Sequence, residues 1–196
     1  MNITGNITGN ATGNATGNAT DQGTTATLPA EHADLISALA QHREFLRTTV
    51  RDLTDEQAAA RTTVSELCLG GLIKHVTSVE RMWTTFILEG PSAMGDFTTM
   101  TEEDWARRAA DFRVLAGETL SGLLDAYAEV ARRTEEIVAA LPDLDVSHPL
   151  PRAPWFEPGA RWSARRVLLH IMAETAQHAG HADIIRESLD GAKTMG

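Results

Sequence analysis

The chain has 196 residues, of which 42% are hydrophobic, so it is long enough for one domain with a substantial core and a tail. Its formal net charge of -10 at pH 7 and its pI near 5.1 argue against nucleic acid or an anionic membrane surface as a partner. The single cysteine cannot form an internal disulfide, no apolar run approaches membrane-spanning length, and no secretory signal pattern is visible, so we expect a cytoplasmic protein.

Residues 1–27 differ in composition from the rest, because Asn-Ile-Thr-Gly and Asn-Ala-Thr-Gly repeat there with a period of four. Such a segment cannot bury apolar surface, so we expect a disordered tail. Each repeat also matches the N-glycosylation pattern, but that modification requires secretion, for which the sequence shows no signal. We therefore favour a repeat without function, and we expect the folded domain to span residues 28–192.

Apolar residues recur at three- and four-residue spacings in four long segments, each of which predicts a helix. Pro29 suits the first turn of the first helix, and Gly90 with Pro91 ends the second. Pro142 stops the third, and Ser163 is placed to cap the fourth. The predicted helices span residues 29–52, 65–88, 116–141 and 163–190.

Two long connections separate these helices. The first, after Gly90, holds a possible short helix that begins at Thr101 with acidic residues in its first turn. The second, residues 142–162, is so rich in proline that helix and central strand are excluded. Because no two-residue alternation of apolar and polar residues persists, we predict an all-α four-helix bundle. The long connection between the second and third helices is what a crossover requires.

The fourth helix carries ligand-type side chains within its apolar stripe. At about 100° per residue, one narrow sector contains Val167, Ile171, Glu174, His178 and Ile185. An ionised carboxylate is costly to bury unless it is paired, hydrogen-bonded or coordinated. Because Glu174 and His178 are four residues apart, their side chains point to one place, and the pattern indicates a cation there.

His75 occupies the middle of the apolar stripe predicted for the second helix, as His178 does on the fourth. Taken alone, His75 is compatible with a hydrogen-bonded core histidine, and Glu174 with His178 is compatible with an internal carboxylate–imidazole pair. Polar side chains within the apolar stripes of two different helices are better explained by one metal that binds His75, Glu174 and His178. His42 fits the stripe of the first helix equally well, and the residues alone do not exclude it.

Two stretches of the sequence resemble the DinB/YfiT superfamily and, within it, an actinobacterial branch of small proteins. Residues 72–83 read LIKHVTSVERMW, and residues 169–187 read LHIMAETAQHAGHADIIRE, followed by Asp190-Gly-Ala. The resemblance extends over nearly everything from Leu28 onward. It implies a four-helix bundle, often a homodimer, with a divalent metal bound by one histidine of the second helix and two residues four apart on the last.

Members of the superfamily commonly have histidine at both positions of the last helix. This chain has Glu174 at the first position, as in the mycothiol-dependent maleylpyruvate isomerase branch, and His178 at the second. Carried over to this sequence, the resemblance implies the metal ligands His75, Glu174 and His178, and it excludes His42.

Two histidines and one carboxylate leave a coordination position open, which is typical of a reactive site. Zinc is the default ion, and nickel or iron fits the same ligands. The resemblance to mycothiol and bacillithiol S-transferases implies a small thiol, mycothiol in this case, that is activated to attack an electrophilic substrate, or a related isomerase reaction. A hydrolase that uses metal-bound water and a non-catalytic metal-binding stress or regulatory module are the alternatives.

Residues near the expected ligands are candidates for supporting roles, each with a structural alternative. His181 could orient the carboxylate or move the thiol proton, or it could be a surface histidine, whereas for His170 the structural alternative is favoured. Arg81 could bind a substrate carboxylate or belong to the solvated face, and Trp83 could line the cofactor pocket or simply pack. Cys68 has no adjacent positive group and is expected in the core.

Overall fold

The computed structural model describes residues 28–194, so the predicted repeat tail of residues 1–27 lies outside the described range. Its four long helices form an all-α four-helix bundle, as predicted. In chain order the elements are α1 (Ala30–Thr48), α2 (Asp55–Ala59), α3 (Leu69–Glu89), a 3₁₀ turn (Gly90–Ala93), α4 (Glu102–Ala110), α5 (Leu120–Ala140), β1 (Ser147–Pro149), β2 (Arg161–Ser163) and α6 (Ala164–Asp190).

Side-chain caps begin two of these helices where the sequence predicts them. The Ser163 hydroxyl accepts a hydrogen bond from the Arg166 backbone N–H at the start of α6, and Gly191 ends that helix with a left-handed φ of 79°. Thr101 and Asp104 form a reciprocal capping box at the start of α4. The predicted short helix in the first long connection is therefore confirmed.

The start of α3 and the end of α1 differ from the prediction. α3 begins at Leu69 and not at Ser65, because the Ser65 hydroxyl accepts a hydrogen bond from the Leu67 backbone N–H and closes a turn. α1 ends at Thr48 and not at Asp52, because the chain turns there and Asp52 adopts a left-handed φ of 60°.

A further helix, α2, lies in a segment predicted to be a break between helices. Thr54 accepts from the Gln57 backbone N–H, and the Gln57 side chain accepts from the Thr54 backbone N–H, so this capping box begins a short helix. The third long helix, α5, begins at Leu120 and not at Ala116, with the Thr119 hydroxyl as its cap.

The packing of the bundle shows that α3 and α5 run parallel. Their N-terminal halves, with Leu72 and Leu123, share one hydrophobic cluster, whereas their C-terminal halves, with Ile87 and Ile137, share a second one. Parallel helices that follow each other in sequence need a connection that returns along the bundle, and residues 90–119 provide it. The predicted crossover is therefore confirmed. Every helix within residues 28–194 is too short or too polar to span a bilayer.

A charged network lies in the core where α1, α3 and α5 meet. Glu80 on α3 is 1% exposed and accepts hydrogen bonds from both Nε and Nη2 of Arg43, with 3.2 Å between Nε and Oε2. Thr134 of α5 donates to the same carboxylate, and Arg43 Nη1 donates to Glu135 at 3.1 Å. Each charge has its partner in place, which is the condition for burying it.

The proline-rich second connection folds onto the C-terminal half of α3. β1 and β2 pair antiparallel with His148 opposite Trp162. The His148 ring nitrogen Nε2 lies 3.1 Å from the Ile87 carbonyl oxygen, and the Trp162 ring stacks on Trp83 at 4.7 Å between centroids. This arrangement brings the tryptophans of the connection close to the face that α3 shares with α6.

Candidate metal centre

The three predicted ligands lie together where α3 faces α6. His75, Glu174 and His178 each offer a donor atom, and these atoms all lie within 4.8 Å of one another. Glu174 Oε2 is 3.9 Å from His75 Nε2 and 3.6 Å from His178 Nε2. A tetrahedral ion with bonds of about 2.0–2.2 Å places its donors roughly 3.3–3.6 Å apart, so the cluster could hold a divalent metal after small side-chain movements.

Electrostatics keep the carboxylate of this cluster ionised. The imidazole of His178, and next that of His75, hold the pKa of the Glu174 carboxyl well below its usual value, against the opposing effect of burial. The two histidine side chains are only 16% and 12% exposed, and that of Glu174 is 29% exposed. Glu174 is therefore a carboxylate at neutral pH, which is the form that binds metal.

The orientation of His75 is fixed by a residue of the crossover connection. Phe112 stacks on the His75 ring with 3.9 Å between centroids and 21° between planes. A Cβ at Gly71 would lie 2.1 Å from the Phe112 carbonyl oxygen, so the connection reaches α3 this closely only because glycine is there. Phe112 was not among the predicted site residues. The Gly70-Gly71 pair inside a predicted helix was the available signal, since it indicates close approach of another segment.

Two further histidines lie next to the cluster. His181 Nδ1 is 3.4 Å from His178 Nδ1, so it lies behind one ligand and not among the three donors. His170, for which a structural role was favoured, places Nε2 3.8 Å from the second Glu174 oxygen and lies edge-on to Trp83. Burial lowers the pKa of His170, which favours a neutral ring.

The two residues predicted to bind a cofactor are placed differently. Trp83 is buried, and it lines the same cavity as His75 and Glu174. Arg81 is exposed and lines a groove between α3 and α5, together with residues such as Arg133. The structure therefore brings Trp83 to the cluster and leaves Arg81 on another face.

Three other polar residues make structural contacts away from the donor cluster. His42 lies edge-on to Phe45 and outside the donor cluster. Cys68 is buried, as predicted, with Sγ 3.8 Å from the Phe112 carbonyl oxygen. Arg186 pairs with Asp190 and donates to backbone carbonyls after α1.

Two cavities meet at the candidate metal centre. One, of about 510 Å³, lies between α3 and α4, and the other, of about 330 Å³, lies between α3, α6 and the second connection. Both are lined by His75, Val79, Met82 and Arg108. His75 is thus reached from both cavities and Glu174 from the smaller one, an arrangement that suits two reactants.

A four-helix bundle with a crossover between its second and third long helices, and a His/Glu/His cluster on facing helices, defines a DinB-like protein. The family model described as mycothiol S-transferase matches residues 34–191, and the chain belongs to this family. A conserved protein from Enterococcus faecalis, known from its crystal structure, is similar in fold, with a TM-score of 0.57 and 16% identity over 82% of this chain and 97% of that chain. No curated protein matches the sequence significantly.

Proposed function

We propose that the protein is a metal-dependent S-transferase, or a related isomerase, that adds mycothiol or a similar small thiol to an electrophilic substrate. Membership of the mycothiol S-transferase family supports a thiol transferase function in general terms. The observation that carries the metal-dependent reaction is the convergence of three donors from α3 and α6 at the junction of two cavities. An open cluster between two reactant-sized spaces favours chemistry over a purely structural ion.

In this proposal His75, Glu174 and His178 hold one divalent ion, with zinc as the default and nickel or iron as alternatives for the same donor set. When bound, such an ion supplies positive charge that favours the thiolate form of a thiol. Neighbouring residues orient the two imidazoles. Phe112 stacks on the His75 ring, and the His178 ring presents Nε2 to Glu174 and Nδ1 to His181.

His181 is the candidate to support catalysis. Its side chain is partly exposed, and its Nδ1 lies 3.4 Å from His178, so it can orient that ring or pass a thiol proton to solvent. Trp83 forms part of the wall of the smaller cavity. No role is proposed for Arg81, because it lines neither of the two cavities that meet at the cluster.

Conjugation of mycothiol with monobromobimane tests this function. We expect zinc-loaded protein to accelerate conjugate formation, because the cluster raises the thiolate fraction next to the electrophile. Protein stripped with a chelator and the Glu174→Gln variant should both lose this acceleration, whereas His42→Ala should keep it. Metal binding without acceleration would favour the non-catalytic module, and thiol-independent hydrolysis of an activated ester would favour the hydrolase.

A further inference from the structure

The smaller of the two cavities has a wall made mainly of aromatic rings and thioethers. We call it the aromatic cavity, and its wall includes Met82, Trp83, Met94, Phe97, Trp155 and Phe156. His75 and Glu174 of the candidate metal centre also line this cavity, as does His170. Trp155 is 56% exposed although its ring lies 5.2 Å from Phe97, so a large flat surface stands at the opening of the cavity. Flat ligands stack on such rings.

One cation, Arg108, lies in the wall of the aromatic cavity. Its Nη1 is 3.9 Å from Met82 Sδ, and its guanidinium carbon is 5.0 Å from the centroid of the Phe97 ring. Among residues 28–194 it forms no ion pair, whereas its neighbour Arg107 pairs with Asp104. A guanidinium held by a ring and a thioether keeps most of its N–H groups available to an oxygen acceptor.

The larger cavity is also mainly apolar, with Leu67, Trp105 and Phe112 in its wall, but it has more charged groups. Glu66, Asp111 and Arg113, with the Ser78 hydroxyl, offer partners to a hydrophilic molecule there. Trp105 belongs to this wall and not to the aromatic cavity, although its ring lies 6.3 Å from that of Trp155. These additional groups give a polar thiol more hydrogen-bond partners in the larger cavity than in the aromatic cavity.

We propose that the aromatic cavity is the subsite for the electrophile, and that it takes a planar conjugated carbonyl compound, such as a quinone or an aryl enone. This inference rests on the proposed S-transferase function. The aromatic wall stacks on the flat conjugated system, and Arg108 donates to its carbonyl oxygen. Because His75 and Glu174 line the same cavity, a substrate bound there has its reacting carbon near the place where the sulfur is expected.

The reaction in this subsite is a conjugate addition. The thiolate sulfur forms a bond to the β-carbon, the C=C π pair shifts toward the carbonyl carbon, and the carbonyl π pair moves onto oxygen. Arg108 stabilises the negative charge that develops on that oxygen. The proton lost from the thiol returns to the enolate, so the sum is the addition of a thiol across a double bond and needs no oxidant or reductant.

Binding of an unreactive flat ligand tests the subsite without any reaction. We would measure the Kd of 2,3-dimethyl-1,4-naphthoquinone by calorimetry in the absence of thiol. Trp155→Ala should weaken binding by about 10-fold, since a stacking partner is lost, and Arg108→Met should also weaken it. The matched controls Trp105→Ala and Arg107→Met should stay within about 2-fold of wild type, because neither residue lines the aromatic cavity. Equal effects of Trp155→Ala and Trp105→Ala would overturn the assignment.

Kinetics with mycothiol and two electrophiles test the role of Arg108. For 1,4-naphthoquinone at saturating mycothiol, we expect Arg108→Met to lower kcat/KM at least about 10-fold more than it lowers kcat/KM for iodoacetamide, which has no flat ring. Arg108 also lines the larger cavity, and any effect on the thiol is common to both electrophiles. A similar loss with both electrophiles would overturn the role of Arg108. Wild-type activity with iodoacetamide but not with naphthoquinone would reject this subsite and leave the transferase function standing. Activity with neither would reject both.

Discussion

His75→Ala is expected to abolish stoichiometric binding of a divalent metal while the helical fold is retained. His75 supplies the donor from α3, and Glu174 and His178 both come from α6, so its loss leaves two donors on one helix. Residues that hydrogen-bond to metal ligands contribute about 10- to 100-fold to metal affinity. Loss of a ligand itself should therefore lower the metal affinity by more than about 100-fold. Zinc content after gel filtration and zinc titration calorimetry would measure the loss, and circular dichroism would report the fold.

Two variants separate a ligand role from a general effect of losing an imidazole. His42→Ala removes a partly buried histidine that packs on Phe45 outside the cluster, so it should bind zinc as wild type does. His181→Ala should weaken zinc binding only by about 10-fold, because the His181 ring contacts His178 at Nδ1, whereas Nε2 of His178 faces Glu174. Full zinc occupancy in the His75→Ala protein would show that the ion, if any, is held by other residues.

Glu80→Ala is expected to cause a large loss of stability. It leaves the buried guanidinium of Arg43 with only the partly exposed carboxylate of Glu135, and it deprives Thr134 of an acceptor. Breaking a buried ion pair from one side costs about 3–5 kcal/mol, because the remaining charge is desolvated and unpaired. Urea unfolding followed by circular dichroism would measure the change in the free energy of unfolding.

An exposed ion pair provides the control for this prediction. Glu129 pairs with Arg132 on the surface of α5, and Glu129→Ala should leave the urea midpoint nearly unchanged. The double variant Arg43→Met with Glu80→Leu should recover much of the stability, because no unpaired charge remains. If Glu80→Ala and Glu129→Ala were equally mild, the buried network would not have the energetic role assigned to it.

The helices and two of the three candidate ligands could be predicted because both depend on local spacing. Glu174 and His178 are four residues apart on one helix, so their proximity follows from helical geometry alone. The third donor, His75, is nearly one hundred residues away in sequence. It was predicted from the family resemblance and from its position in an apolar stripe. The observed cluster contains the three residues predicted as ligands.

The buried face of α3 was predicted less well. The sequence predicts an α3 stripe of Cys68, Leu72, His75, Val79, Met82 and Phe86, and the structure buries Cys68, Leu72 and Phe86. The other three residues line the cavities, and Val76 and Glu80 are buried in the core as well. Periodicity does not indicate that Glu80 is buried, because an ionised carboxylate is costly to bury without a partner. The partner that makes this burial possible comes from α1, and its position depends on tertiary packing.

The walls of the cavities could not be predicted from periodicity. Phe112 and Arg108 come from the crossover connection, and Trp155 comes from the proline-rich one, so their positions depend on how long connections dock on the bundle. Charge and aromatic content alone do not indicate that these segments meet at His75. The homodimer, the cytoplasmic location and the choice of zinc stay predictions, as does the disordered tail of residues 1–27.

X-ray diffraction from crystals of zinc-loaded protein, collected at the zinc absorption edge, tests the central claim most directly. We predict one anomalous peak that lies about 2.0–2.2 Å from a ring nitrogen of His75, a ring nitrogen of His178 and a carboxylate oxygen of Glu174. A peak elsewhere on the protein, or none at these three residues in crystals that contain stoichiometric zinc, would contradict it.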